Sequence, residues 1–494
     1  MITGVLLEHS LRGLAHALAS VDRSLYQMLE LRLDACRDFS LDTFDQFAAL
    51  PLPLPCIFTL RRKEEGGFFA QGEDERLRLL SRLARLKPAW LDIEAAVPAE
   101  QVLAIRKQSP ETRILLSSHD FAAMPPDLDG WYERSRKTVT STAAFFPAEY
   151  GDPEAGVVYK LAGTARSTLD ALRVLEFCKG RGNRVLGIAM GEEGECTRIL
   201  APAVHCGLCY CPVAAPSAPG QLTAETLRSL YNAERLDKDT RLYGLLGDPV
   251  AHSTGHVFHN AMNRDTGENA VYVKLRLAPA DLPAALPLLH KTGFAGLSVT
   301  MPHKQAILPL LAGCSPAVQR IGAANTLIWQ PGGYYGENTD GPGAVEALGA
   351  PLAGKTVGIL GAGGSARSII HAVAQEARKV LVFNRSTSRT LPADAPVFFL
   401  DDLPDRAGEC DILINTLPFT ANLSFRNIPF HSGMLVMDIS YGSESAFLAQ
   451  AKACGCEGVD GLPMFRAQAR LQRRLWALTN KLVSPRLCLG THKV

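Results

Sequence analysis

The chain has 494 residues, more than one ordinary core accommodates, and this length suggests roughly three or four folding units. Its composition, 47% hydrophobic and 20% charged, lies in the normal globular range. Lysine plus arginine (51) nearly cancels aspartate plus glutamate (50), and the net charge of +1 leaves no broad electrostatic footprint for nucleic acid or a membrane surface.

No apolar run approaches the ~18 residues of a membrane span. Glu8 and Arg12 interrupt the N-terminal stretch where a secretion signal needs an unbroken apolar centre. Twelve cysteines without such a signal read as reduced thiols, so the expected compartment is the cytoplasm or an organelle interior. Cys206, Cys209 and Cys211 share the C-x-x-C-x-C spacing of some metal sites. No second pair of His or Cys follows at zinc spacing, and no metal is expected.

Through the first half, short β-branched or apolar runs recur at 3–7, 28–34, 56–61, 90–95, 113–119, 157–162, 184–190 and 208–213. Helix-like stretches lie between them, among them the amphipathic segments 73–86 and 167–178. Eight strand–helix repeats over 1–235 predict a compact (β/α)8 barrel. An open doubly wound sheet would show a glycine-rich first turn, and this half has none.

Barrel chemistry gathers at the C-terminal strand ends. There the chain places Glu30-Leu-Arg32-Leu-Asp34, whose period-two spacing turns three charges to one side. Thr59-Leu-Arg61 follows, running on to Glu65-Gly66-Gly67, and then Ser117-Ser118-His119-Asp120-Phe121. Lys160 sits inside the apolar run Val157-Val158-Tyr159-Lys160-Leu161-Ala162. Thr197-Arg198 follows the seventh run, and Ser217-Ala218-Pro219-Gly220-Gln221 the eighth. Burial disfavours an ammonium and makes a neutral amine available to attack a carbonyl. Singly, Lys160 also reads as a lysine snorkelling from a strand end, His119 as a hydrogen-bonded core histidine, and the acidic-basic run as an ion-pair network. Their occurrence at successive strand ends of one barrel is what gives them weight.

Taken in this order, these residues resemble the type I 3-dehydroquinate dehydratases over nearly the whole first half. The resemblance implies that Lys160 forms an imine with the ketone of 3-dehydroquinate. His119 would remove the neighbouring proton and later protonate the departing hydroxyl, with Glu65 orienting it. Arg198 would clamp the substrate carboxylate, helped by Ser217 and Gln221, while Glu30, Arg32 and Arg61 bind the ring hydroxyls and each other.

Residues 222–233 read as the last barrel helix, 234–240 as a polar connector, and 242–247 as a new strand. Further on, Lys355-Thr-Val-Gly-Ile-Leu-Gly361-Ala362-Gly363-Gly364-Ser365-Ala366 runs a strand straight into Gly-x-Gly-x-x-Ala and an amphipathic helix, the context expected of a dinucleotide site. Its glycines allow a tight turn and close approach of backbone to a pyrophosphate at the helix N-terminus. Packing alone is the competing reading. The following strand, 379–383, ends at Asn384-Arg385-Ser386-Thr387-Ser388-Arg389. No acidic residue stands there to hold a ribose 2′-hydroxyl, and two arginines suit a 2′-phosphate, so NADP is preferred over NAD.

Around this motif lie Ser298-Val-Thr300-Met-Pro302-His-Lys304, Gly322-Ala-Ala-Asn325-Thr326, Asn338-Thr339-Asp340-Gly341 and Gly461-Leu-Pro-Met464-Phe-Arg-Ala-Gln468. Each alone could be a turn or a capped helix; together they resemble shikimate dehydrogenase over essentially the full second half. The resemblance implies that Lys304 and Asp340 form a catalytic couple, Lys304 supplying a proton to the ketone oxygen as NADPH delivers hydride. Ser253, Thr300, Asn325 and Gln468 would line the substrate pocket. In one respect the chain departs from that family, whose His-Ser-x-Ser-Pro turn carries two hydroxyls. Here the sequence reads His252-Ser253-Thr254-Gly255-His256. Gly255 removes one donor, about 1 kcal/mol of net binding, and opens space for the extra hydroxyl of quinate.

The two implied activities are consecutive: 3-dehydroquinate to 3-dehydroshikimate, then to shikimate. The expected architecture is α/β, with the barrel over 1–235, a substrate lobe over 241–345 with a returning segment at 462–485, and a Rossmann-like NADP lobe over 350–460. Two alternatives stay open. One is the same dehydratase fused to a quinate or dual quinate/shikimate dehydrogenase. The other is a dinucleotide-sensing regulator, against which the intact Lys160, His119, Lys304 and Asp340 argue.

Overall fold

Alternation of side chains along strands organises the first part of this computed structural model. The structure describes residues 1–141, 152, 154–204, 207–214, 220–388, 390–418, 427–442 and 445–483. It divides into two compact units. One holds Met1–Leu242 with Asn260–Leu277 and Pro283–Gly293; the other holds Tyr243–His259, Ala278–Leu282 and the described residues from Phe294 on.

Up to residue 212 the strands are β1 (Ile2–Leu6), β2 (Met28–Arg32), β3 (Cys56–Thr59), β4 (Trp90–Glu94), β5 (Arg113–Asp120), β6 (Val157–Thr164), β7 (Val185–Met190) and β8 (Cys209–Pro212). Each falls on one of the predicted runs. They form one sheet in the order β7-β6-β5-β4-β3-β2-β1-β8. The parallel ladder between β1 and β8, with Thr3 opposite Tyr210, brings the first strand beside the last. The fold is a (β/α)8 barrel, as the repeat count predicts.

Its outer helices bury one face each. Helix Glu73–Arg85 turns Leu79, Leu80, Leu83 and Ala84 inward, with acids in its first turn and Arg82 and Arg85 in its last, matching the helix dipole. Inside, Met28, Ile57, Trp90, Leu115, Val158 and Leu186 form an apolar floor. Two residues further along five of these six strands the chain turns polar, whereas β7 keeps Ile188, and that change sets the position of the site.

The rest of the chain builds two six-stranded sheets. One comprises β9 (Arg241–Gly247), β10 (Ala270–Arg276), β11 (Phe294–Val299), β12 (Gly313–Cys314), β13 (Thr326–Gln330) and β14 (Gly333–Glu337), in the order β10-β9-β11-β13-β14-β12. It is mixed: β13 runs antiparallel to both β11 and β14. The other comprises β15 (Thr356–Leu360), β16 (Lys379–Asn384), β17 (Val397–Phe399), β18 (Ile412–Asn415), β19 (Leu435–Asp438) and β20 (Glu457–Val459). Its order, β17-β16-β15-β18-β19-β20, is the doubly wound 3-2-1-4-5-6 arrangement, with the crevice between β15 and β18.

After β20 the chain returns through helix Gly461–Val483. Trp476 Nε1 donates to Leu327 O at 3.0 Å and Gln472 Nε2 to Asn325 O at 3.1 Å, which fixes this helix against β13. It also packs closely on helix Asp340–Leu348. A Cβ on Gly343 would stand 3.0 Å from the backbone nitrogen of Gln468, so glycine there lets Gln468 approach Asp340's helix.

Candidate active sites

Above the barrel floor, the second layer of inward residues is Glu30, Thr59, Asp92, Ser117 and Lys160, all buried. Lys160 Nζ lies 3.2 Å from Asp92 Oδ2 and 3.6 Å from Glu30 Oε1, with the Tyr210 ring centroid 4.6 Å away. Asp92 is held in turn by Arg61 Nη2 at 2.8 Å and by the Ser117 hydroxyl at 2.6 Å. Thr59 Oγ1 donates to Glu30 at 2.8 Å. The apolar surroundings expected for the lysine amine are therefore replaced by a charged layer, because a buried cation needs partners. Burial pushes the Asp92 carboxyl up, but the Arg61 and Lys160 cations outweigh it and hold it well below the usual carboxylate range.

At the rim, His119 Nδ1 meets Glu65 Oε2 at 2.9 Å, and the His119 backbone N–H donates to the same oxygen at 3.2 Å. Burial, followed by the Arg61 and Lys160 cations, pushes the imidazole well below its ordinary value, so the ring is neutral. Burial pushes Glu65 up to about 7 against the pull of Arg61, with Glu94 and Asp92 adding to the rise. Arg32 turns to Asp34 through bonds of 3.0 and 2.8 Å. Arg198 is buried, its Nε has no hydrogen-bond partner among the described residues, and burial pushes its guanidinium down to about 10. Such a group is ready for an incoming carboxylate. Gln221 is half-buried, and Ser217 lies outside the described residues.

The second site surrounds the turn after β15. Gly361 has φ +105°, and a Cβ there would stand 2.6 Å from Thr416 Oγ1. Only glycine suits such a turn. Ala362 and Gly363 lead into helix Gly364–Val373, where Ser365 and Ala366 lie in the first turn. The first N–H groups of a helix lack intrahelical acceptors and offer an anion site. Asn384 closes β16, its side chain donating to Ser386 O at 2.9 Å, and Arg385 and Ser386 are exposed beyond it. Arg389 lies outside the described residues. After β16 no acidic residue occurs before Asp394. This acid-free, cationic donor set fits the 2′-phosphate of NADP.

Lys304 Nζ donates to Asp340 Oδ2 at 2.5 Å and to Ser365 Oγ at 2.9 Å. Asn325 Nδ2 donates to Asp340 Oδ1 at 2.7 Å and to Gln468 Oε1 at 3.1 Å, while Asn338 Oδ1 accepts the Asp340 N–H at 3.0 Å. The geometry thus brings Lys304, Asp340, Asn325 and Gln468 together. Of the other two expected residues, the Thr300 N–H donates to Leu246 O at 2.8 Å, and Ser253 Oγ accepts the Gly255 N–H at 3.2 Å. Gly255 itself opens helix Gly255–Thr266.

Three family models match the chain: type I 3-dehydroquinase over residues 5–238, shikimate dehydrogenase substrate binding domain over 245–327, and D-isomer specific 2-hydroxyacid dehydrogenase, NAD binding domain, over 336–424. A protein of Arabidopsis thaliana named bifunctional 3-dehydroquinate dehydratase/shikimate dehydrogenase, chloroplastic, is 30% identical over 476 residues, covering 90% of this chain and 76% of its own length. The shikimate biosynthesis protein AroDE of Chlamydia trachomatis serovar D is 31% identical over 407 residues, 80% of each chain. The chain belongs to this bifunctional dehydratase–dehydrogenase family. Its second half is also 38% identical over 260 residues to the shikimate dehydrogenase (NADP(+)) of Moorella thermoacetica, covering 48% of this chain and 88% of that one.

Sequence reasoning did not single out Asp92, Glu94 or Tyr210 in the dehydratase half. For the acids a signal existed: Trp90-Leu-Asp92-Ile-Glu94 alternates acid with apolar residue, the same period-two pattern that marks Glu30 and Arg32. Tyr210 looks like one more apolar strand residue, and only the barrel's closure onto β1 sets its ring beside Lys160.

The His119–Glu65 contact yields a pH prediction. An ionised Glu65 accepts from Nδ1–H and leaves the Nε2 lone pair free as a base. One added proton on the pair, wherever it resides, removes that base. Glu65 ionises at about 7, so dehydration kcat/KM falls as pH drops through about 7. In Glu65→Gln this acid limb disappears, and the plateau lies on the order of 10²-fold lower. A limb persisting at the same pH in the variant assigns it to another group.

Proposed function

We propose that this chain catalyses two consecutive steps on one six-membered ring. In the barrel, the Lys160 ammonium passes a proton to the ketone oxygen of 3-dehydroquinate, the freed amine attacks the ketone carbon and, with loss of water, forms a protonated imine that serves as electron sink. His119, oriented by Glu65, takes the adjacent proton. The ring hydroxyl then leaves as water with the proton His119 returns, and hydrolysis of the imine releases 3-dehydroshikimate and regenerates the amine. Arg198 holds the substrate carboxylate with Ser217 and Gln221, and Glu30, Arg32 and Arg61 meet the ring hydroxyls.

In the second half, bound NADPH supplies the hydride. Gly361, Ala362, Gly363, Gly364, Ser365 and Ala366 form the turn that would receive its pyrophosphate, and Asn384, Arg385, Ser386 and Arg389 the patch for its 2′-phosphate. Lys304 donates a proton to the ketone oxygen, Asp340 holds Lys304, and Asn325, Gln468, Thr300 and Ser253 surround the ring. Shikimate is the product; the relatives carry its name, and the quinate alternative raised by Gly255 is not favoured.

The observation that carries this reading is the buried Lys160 amine and the Glu65-held His119 on adjacent strands at one end of a barrel, the end this fold uses for chemistry. We further propose division into 1–235, 241–345 with 462–485, and 350–460, and a compartment that is cytoplasm or organelle interior, with small molecules rather than nucleic acid as partners. The ten cysteines among the described residues are all free thiols, which agrees with a reducing compartment. Among the described residues no helix is long and apolar enough to cross a membrane. The deciding assay gives the purified chain 3-dehydroquinate and NADPH. Shikimate should accumulate as NADPH is consumed, and nucleotide binding without turnover of either ring substrate would establish a sensor instead.

A further inference from the structure

We propose that Ser365 is a positioning residue of the dehydrogenase half, whose hydroxyl fixes the Lys304 amine against Asp340. The inference rests on reading Lys304 and Asp340 as the catalytic couple. Three contacts close a triangle: Lys304 Nζ to Asp340 Oδ2 at 2.5 Å, Lys304 Nζ to Ser365 Oγ at 2.9 Å, and Ser365 Oγ to Asp340 Oδ2 at 3.2 Å. A hydroxyl donates once and accepts twice, so Ser365 donates to Asp340 while accepting from Lys304.

An ammonium has three donors. With one on Asp340 and one on Ser365, the remaining N–H has a single direction, and the long, flexible stem of Lys304 cannot swing about the Asp340 bond. Asp340 is equally constrained, because Asn325 occupies its other oxygen at 2.7 Å. The nucleotide turn also rests on the lysine stem: a Cβ on Gly364 would lie 3.3 Å from Lys304 Cβ and Cδ. The glycine pattern does not account for the hydroxyl, since position 365 is one of its unspecified residues. The turn expected to serve only the cofactor thus reaches into the proton-donating group.

The test uses the full chain with Ser365→Ala, Ser365→Thr and Lys304→Ala. Ser365→Ala should lower kcat for 3-dehydroshikimate reduction about tenfold. The NADPH dissociation constant, read by nucleotide fluorescence, should stay within about twofold. The isotope effect with NADPH deuterated at the transferred position should rise, and Ser365→Thr, which restores a hydroxyl, should recover most of the rate. An unchanged kcat in Ser365→Ala overturns the proposal. So does a loss that follows NADPH affinity, which makes Ser365 a nucleotide contact, or a loss that threonine fails to repair, which makes it a packing residue. Should Lys304→Ala itself keep full activity, the catalytic couple is misassigned and the failure lies with that reading.

Discussion

Replacing Lys160 with methionine will abolish dehydration of 3-dehydroquinate, by on the order of 10⁴-fold or more, while the same polypeptide continues to reduce 3-dehydroshikimate. Methionine keeps most of the stem and its packing but has no amine, so no imine can form. The rest of the layer remains: Asp92 keeps Arg61 at 2.8 Å and Ser117 at 2.6 Å, and Glu30 keeps Thr59. Loss of the central cation still leaves two buried carboxylates short of a partner, so the barrel should be destabilised by about 1–3 kcal/mol. Thermal melting reads that penalty, and the reductase rate serves as an internal control on the amount of active chain. Borohydride trapping with substrate gives the complementary result. The reduced adduct should add mass to the peptide bearing Lys160, and an adduct on any other lysine sinks the imine mechanism at this position.

The barrel strands, β9, β15 and β16 were legible in the sequence because their patterns are local. Period-two alternation marked Glu30 and Arg32, and a strand running into Gly361-Ala362-Gly363 marked the nucleotide turn; each of these strands appears where predicted, within two residues of its expected start, whereas β11 and β13 beside Lys304 and Asn325 were not read from the sequence. What was not legible depends on side chains meeting across distant segments. Lys160 looked apolar-flanked in its own run, since Val158 and Ala162 are its inward neighbours along β6. Asp92 and Glu30 reach it from β4 and β2, a relation that only barrel closure creates. Arg32 pairs with Asp34 two residues on, a contact its own strand end makes possible. Ser365 is the clearest case: its sequence position says cofactor, whereas its hydroxyl lies on Lys304 and Asp340, 61 and 25 residues away along the chain.

The remaining large effect belongs to the Lys304–Asp340 pair. Lys304→Ala should slow 3-dehydroshikimate reduction by on the order of 10²–10⁴-fold, the usual contribution of a placed proton donor. Dehydration in the barrel should be untouched. Asp340→Asn should cost somewhat less, because its one amide oxygen can still accept from Lys304, although its NH2 then faces the Asn325 donor and it carries no charge to hold the ammonium. If the pair acts as one unit, the double variant should be hardly slower than Lys304→Ala alone, since Asp340 works through the lysine. A surface-type ion pair behaves differently: its removal costs at most about 1 kcal/mol in stability and leaves turnover near normal. Small primary amines offer a direct check on the proton-donor role. Added to Lys304→Ala, they can enter the space left by the stem and supply an ammonium at the same point, so reduction should recover in proportion to amine concentration. Tertiary amines too bulky for that space should have no effect. A Lys304→Ala enzyme that already turns over within about threefold of the parent would leave the ketone oxygen to be protonated by some other group.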